Sequence, residues 1–118
     1  MNQLQSTAEQ QRVLAKAVMN VATQLNLTPV QLSELLGLDP ASITQTEALP
    51  ELDPQTETGQ RAMFLVQIFK RLYVMTGGDS AWMQQFMHTR NQVSNGIPIE
   101  QMGCLDGMRN ILAVIEMQ

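Results

Sequence analysis

The chain has very few residues suited to redox or metal chemistry, since only one of its 118 residues is a cysteine and only one is a histidine. The single cysteine, Cys104, excludes an internal disulfide and a cysteine-based zinc site. Any histidine-based triad or metal site would rest on His88 alone. We expect His88 at a surface or helix end and Cys104 in a structural role. The sequence therefore predicts a protein with no catalytic residue, no metal site and no cofactor.

Long apolar runs and alternating apolar patterns are also missing. No run approaches the roughly 20 residues that a membrane-spanning helix needs, and the N-terminus lacks the basic-then-apolar pattern of a signal peptide. We therefore expect a cytoplasmic protein with no membrane partner. Because no alternating run indicates a half-buried strand, and the 44% hydrophobic content suffices for a core, an all-α fold is predicted.

Basic residues are scarce in the first half of the chain. Residues 1–58 carry two basic and seven acidic side chains, a net charge of −5, whereas residues 59–118 carry a net charge of +1. A protein that binds nucleic acid needs Lys and Arg to neutralise phosphates. An acidic first half is therefore unfavourable for DNA binding.

Residues 28–49 nevertheless have the pattern of a helix-turn-helix. Thr28 and Gln31 have the spacing of a capping box at the start of one helix, and Gly37 marks a tight turn before the next. If the motif binds DNA, its third helix enters the major groove. Four polar side chains of that helix are then expected to face the bases: Ser42, Thr44, Gln45 and Thr46.

The charge of this third helix leaves two interpretations open. The helix contains no Lys or Arg, and Glu47 would face the phosphates unfavourably. The motif could be a structural relic or a dimer scaffold. Alternatively, it binds an operator, as a multimer together with a partner protein.

The last third of the chain, residues 77–118, contains closely spaced helix boundaries. Gly77-Gly78 ends one helical pattern, and Asp79 can cap the next helix by accepting from free backbone N–H groups. A loop follows at residues 90–96, then a short turn at Pro98 and a final amphipathic helix. The helix after Asp79 has an apolar face that we expect to lie in the core: Trp82, Met83, Phe86 and Met87.

The order of features in this region resembles the C-terminal toxin-binding domain of the Xre/MbcA/ParS-type antitoxins. That family has a Trp on a helix, an Asn-containing loop, a Gly-rich turn before a Pro, and a Gly inside the last helix. Here these features fall on Trp82, Asn91, the turn at 94–98, and Gly107 four residues before Ile111. Residues 28–49 are similar to the Xre-like helix-turn-helix of many of these antitoxins.

The resemblance implies an antitoxin that binds and neutralises a cognate protein toxin of the RES type, an enzyme that consumes NAD. The loop at 90–96 is polar and joins two buried helices, so its groups are expected to face outward. The last helix is expected to project its tip over the toxin's cofactor pocket. The predicted partner-binding residues are Arg90, Asn91, Gln92, Asn95, Gly96, Met117 and Gln118.

The predicted architecture has two regions. Residues 1–55 form an Xre-like helix-turn-helix bundle, packed against a small helical toxin-binding-like domain at residues 56–118. A homodimer is expected because three wide apolar helices exceed what so small a body can bury. Two other functions remain open at this point: a transcriptional regulator that binds operator DNA without a toxin partner, and a helical dimerisation module.

Overall fold

The computed structural model describes residues 3–39 and 52–117, and these residues form helices joined by short loops. Within these ranges there is no strand, and the only extended pairing is an isolated bridge between Asn91 and Gly96. The predicted all-α class is confirmed. None of the described helices is both long and apolar enough to cross a membrane. The helices are α1 (Gln3–Gln24), α2 (Pro29–Leu36), α3 (Glu57–Thr76), α4 (Ser80–His88), α5 (Pro98–Gln101) and α6 (Leu105–Glu116).

The start of the helix-turn-helix has the predicted local structure. The Thr28 hydroxyl accepts from the Gln31 N–H at 3.1 Å, and the Gln31 side chain accepts from the Thr28 N–H at 3.0 Å. α2 then ends at Gly37, whose φ of 71° lies in the left-handed region that favours glycine. The Leu38 N–H donates to the Ser33 carbonyl at 2.8 Å and closes the turn. The third helix of the motif, with Ser42, Thr44, Gln45 and Thr46, lies outside the described residues.

α3 is the central helix, since it packs against α1, α2, α4 and α6. It begins where the Thr56 hydroxyl accepts from the Gly59 N–H at 3.0 Å. The side chains that α3 buries in the common core are Ala62, Leu65, Ile68 and Leu72.

Two glycines end α3 and redirect the chain into α4. Gly77 and Gly78 both have positive φ, 68° and 83°, and the Gly78 N–H donates to the Tyr73 carbonyl at 2.9 Å. Asp79 then caps α4, because its carboxylate accepts from the Trp82 N–H at 3.1 Å. Both predictions for this segment are confirmed.

One local expectation is wrong. Trp82 is 48% exposed rather than part of the core, whereas Met83 and Met87 are fully buried. Met83 and Met87 set which face of α4 is buried. With Met83 and Met87 one helical turn apart and facing inward, Trp82 is rotated by about 100° toward the edge of the helix.

Candidate partner-binding surface

The loop between α4 and α5 is closed by its own backbone. The Asn91 N–H donates to the Gly96 carbonyl at 2.8 Å, and the Gly96 N–H donates back to the Asn91 carbonyl at 3.3 Å. Asn95 turns the chain between them with a φ of 60°. Asparagine tolerates this left-handed conformation better than most residues. The tight turn expected around Asn95 is confirmed.

Side chains hold this loop in one shape. The Asn91 side-chain oxygen accepts from the backbone N–H groups of Val93 at 2.8 Å and Ser94 at 3.2 Å. From α5, the Gln101 amide donates to the Ser94 carbonyl at 2.8 Å. A Cβ added at Gly96 would lie 2.5 Å from that amide nitrogen. Asn91 and Gly96 are half-buried and therefore build the loop, while other residues present its outer side.

The outer side of the loop carries one cation and one exposed aliphatic group. Arg90 and Gln92 are exposed, and Val93 is 56% exposed. The Arg90 guanidinium donates to the Asn95 side-chain oxygen at 2.8 Å. Among the described residues, Arg90 has no carboxylate partner. Its positive charge is therefore available to an acidic group of another molecule.

A shallow pocket of about 230 Å³ joins the loop to the outer face of α4. Trp82 forms one wall, half-buried Phe86 lies beside it, and Arg90 and Asn91 close it on the loop side. We call Trp82, Arg90, Gln92 and Val93 the Trp82 surface. From the sequence, Trp82 was expected in the core, so its place on this surface was missed. No sequence signal separates Trp82 from its neighbours, because Trp82, Met83 and Met87 belong to one apolar stripe.

The predicted partner-binding residues fall at two separate places. Met117 follows α6 and is 72% exposed, and Glu116 beside it pairs with Arg71 of α3 at 3.3 Å. The groove next to this end of α6, about 350 Å³, is bordered by α3 and α6 and by no residue of the loop. The structure thus brings Arg90, Asn91, Gln92, Asn95 and Gly96 together, with Met117 elsewhere. Gln118 lies outside the described residues.

The described part of the helix-turn-helix offers little positive charge to DNA. α2 contains no Lys or Arg. Arg61 approaches the turn, since a Cβ added at Gly37 would lie 3.3 Å from its Cζ atom. However, this guanidinium binds the Glu57 carboxylate at 3.0 Å and the Gly103 carbonyl at 2.9 Å. It is therefore engaged within the protein.

His88 and Cys104 have structural surroundings. His88 is exposed at the end of α4, with its Nδ1 atom 2.9 Å from the Gln84 carbonyl. Cys104 precedes α6, and its sulfur accepts from the Gly107 N–H at 3.4 Å, as a helix cap does. Within residues 8–39 and 52–117, no three His, Cys, Asp or Glu side chains are grouped so as to hold a metal ion. Both residues occupy the positions expected from the sequence.

Comparison with known proteins gives a match over the first part of the chain. The family model described as an antitoxin Xre-like helix-turn-helix domain matches residues 5–67. This span covers more than half of the chain, from α1 through α2 into the middle of α3. No curated protein matches the chain.

Proposed function

Because the chain belongs to the family of antitoxins with an Xre-like helix-turn-helix domain, we propose that it binds and neutralises a protein toxin through the Trp82 surface. The resemblance of residues 77–118 to the toxin-binding domain of such antitoxins motivates the choice of this region. The proposal divides the chain into two regions, residues 1–55 and residues 56–118. The C-terminal region supplies the docking groups, and the N-terminal region contains the helix-turn-helix.

The observation that carries the proposal is the exposed pair Trp82 and Arg90 beside a loop held by its own hydrogen bonds. Tryptophan and arginine are the residue types most enriched among those that dominate binding energies. Burying the exposed half of Trp82 against a partner removes apolar surface from water. The hydrogen bonds of Asn91 and Gln101 fix the loop before binding, so less conformational entropy is lost on association.

The toxin implied by the resemblance is a RES-type enzyme that consumes NAD. Neutralisation is steric: while the Trp82 surface docks the toxin, the end of α6 with Met117 and Gln118 covers the opening of the toxin's cofactor pocket. The exposure of Met117 and the Arg71–Glu116 pair that holds this end of α6 support that role. The proposal places the protein in the cytoplasm, together with the toxin that it neutralises.

Co-expression with the product of the adjacent reading frame tests the proposal. We expect the two proteins to copurify, and the neighbour to be toxic in cells only when this chain is absent. Trp82→Ala should lose both copurification and rescue. Met117→Asp should keep copurification and lose rescue, because it alters occlusion rather than docking. Recovery of the chain alone, with a neighbour that is harmless without it, would rule the function out.

A second function, binding to the operator of its own operon, is favoured by the match of residues 5–67 to a helix-turn-helix domain. In this proposal Ser42, Thr44, Gln45 and Thr46 contact the bases. Fluorescence anisotropy with the upstream DNA, measured over a range of salt concentrations, tests it. We expect a shallow salt dependence because the third helix supplies no Lys or Arg, and we expect Gln45→Ala to abolish sequence preference. No binding at low salt, with toxin binding intact, would leave the antitoxin function alone.

We further propose a homodimer through the groove between α1 and α3. This groove, about 610 Å³, is lined mainly by apolar side chains, among them Val13, Ala17, Met63 and Val66. Val13 is 62% and Met63 41% exposed. Glu9 and Lys70 lie at the same groove, and a two-fold contact can set the acidic group of each copy near the basic group of the other. A protein that only dimerised, with no heterologous partner, would be the dimerisation module.

A further inference from the structure

A cleft of about 230 Å³ separates α2 of the helix-turn-helix from α5 and the end of α4. Its floor is aliphatic: Leu35 is buried, and Ile97 and Ile99 are half-buried. Two carboxylates stand at its rim, Glu34 on α2 and Glu100 on α5, and both are exposed. An apolar floor with one carboxylate from each of two helices at its rim is complementary to a long side chain with an apolar stem and a cationic end.

No positive charge of the described residues neutralises these carboxylates. Within this part of the chain, neither Glu34 nor Glu100 makes an ion pair or accepts a hydrogen bond through its side chain. Two other polar atoms of the cleft already have partners, since the Gln31 amide oxygen completes the α2 cap and His88 Nδ1 lies 2.9 Å from the Gln84 carbonyl. Arg61 is bound to Glu57 and to Gly103. An anionic ligand is therefore disfavoured here, and a cationic one is favoured.

The kind of cation follows from the shape of the cleft. Lys and Arg side chains lay their methylene stems on apolar surface and keep the charged end in water. Arginine also presents a planar fork of five N–H donors that can bind carboxylates with two hydrogen bonds at once. A metal ion fits less well, because no three His, Cys, Asp or Glu of the described residues are close enough to share one. The cleft is thus best matched to arginine.

The cleft and the pocket beside Trp82 both adjoin the same loop. His88 and Ile97, which flank the loop in the chain, line the cleft, whereas Thr89, Arg90 and Asn91 line the pocket beside Trp82. A protein seated on the loop can therefore reach both. We propose that the cleft receives an arginine side chain of the partner toxin.

This inference rests on the proposed function and adds a consequence to it. An arginine held between Glu34 and Glu100 contacts the helix-turn-helix and the toxin-binding region at the same time. The bound toxin therefore restrains α2 relative to α5, so toxin binding is coupled to the orientation of the helix-turn-helix.

The first experiment needs no toxin. N-acetyl-arginine amide is titrated into the full chain, with the backbone and methyl signals of Leu35, Ile97 and Ile99 followed by NMR. With N-acetyl-arginine amide we expect saturable chemical-shift changes confined to the cleft. The uncharged N-acetyl-norleucine amide should cause much weaker changes. In the double variant Glu34→Gln, Glu100→Gln, the changes caused by the arginine compound should be lost. Asp106→Asn, at an exposed position of α6, is the control for the loss of a negative charge. Equal shifts with both amides, or no saturation, would overturn the inference.

The second experiment uses the copurified toxin. We expect the Glu34→Gln, Glu100→Gln double variant to bind it about 10- to 100-fold more weakly, with a reduced dependence on salt, while Asp106→Asn binds as the wild type does. If the double variant binds normally while Trp82→Ala does not, the inference fails and the proposed function stands. If the wild-type chain binds no toxin, the proposed function itself fails, and the titration still reports the chemistry of the cleft.

Discussion

The Arg61 guanidinium donates a hydrogen bond to the main-chain carbonyl of Gly103 at 2.9 Å, across 42 residues of sequence. The same guanidinium pairs with Glu57 in the first turn of α3 and lies against the turn at Gly37. Its side chain is only 12% exposed. One nearly buried cation thus holds together the turn of the helix-turn-helix, the start of α3 and the loop that leads into α6.

We expect Arg61→Ala to lower the free energy of unfolding by about 2 kcal/mol, because it leaves the Gly103 carbonyl without its charged donor. Arg71→Ala is the matched control. It removes an arginine from the same helix whose pair with Glu116 is exposed on both sides, so its cost should stay below about 1 kcal/mol. Urea denaturation followed by circular dichroism measures both. Equal losses in the two variants would contradict the role of Arg61.

Trp82 and Met83 are adjacent in sequence and point in different directions. Trp82→Ala should weaken toxin binding by at least about 30-fold, the loss typical of a dominant interface residue. The free energy of unfolding of the Trp82→Ala variant should change by less than about 1 kcal/mol, because the Trp82 side chain is 48% exposed.

Met83→Ala provides the opposite result as a control. Met83 is fully buried, so its truncation should cost about 2–5 kcal/mol of stability and leave the affinity of the folded protein for the toxin largely unchanged. Calorimetry of binding and thermal unfolding separate the two effects. A Trp82→Ala variant that binds normally would exclude this residue from the interface.

Gly107 should not tolerate alanine, although helix propensity alone predicts a gain of about 1 kcal/mol for this change. A Cβ at Gly107 would lie 1.8 Å from the Gln101 carbonyl oxygen, whereas one at Gly103 would have no heavy atom within 4 Å. We expect Gly107→Ala to destabilise the protein by about 2 kcal/mol or more, and Gly103→Ala to change stability by less than about 0.5 kcal/mol. A more stable Gly107→Ala protein would contradict the close packing of α6 on α5.

The proposed dimer predicts a sedimenting species of twice the 13.2 kDa chain mass at micromolar concentration. The double variant Val13→Glu, Met63→Glu should sediment as a monomer, because a dimer would bury these charges without partners in the α1–α3 groove. Val74→Glu is the control, because Val74 is 79% exposed and lies at a different groove. A wild-type protein that sediments as a single chain would remove the dimer from the proposal.

Interactions between residues close in sequence were the predictable part of this protein. The Thr28–Gln31 capping box, the Asp79 cap and the left-handed Asn95 each depend on groups within about four residues. Such contacts form whenever the local helix forms, so residue type and spacing were enough to anticipate them. The loop shape around Asn91 belongs to the same class, since Asn91 bonds its own neighbours.

The direction of each side chain relative to the rest of the molecule could not be obtained in the same way. Trp82 belongs to an apolar stripe that is wider than the surface α4 buries, and only the packing of Met83 and Met87 into the core left Trp82 outside. Hydrophobicity alone does not distinguish a core residue from an exposed one on a helix edge.

The sequence by itself determined that the chain is helical, where most of its helices begin and end, and that it is related to antitoxins, because these depend on local periodicity, caps and residue order. Tertiary structure alone decided that Arg61 reaches Gly103, that Glu34 and Glu100 share a cleft, and that Trp82 lies beside Arg90. The physical reason is that each of these pairs joins different segments, and their distances are set by how the helices pack around α3.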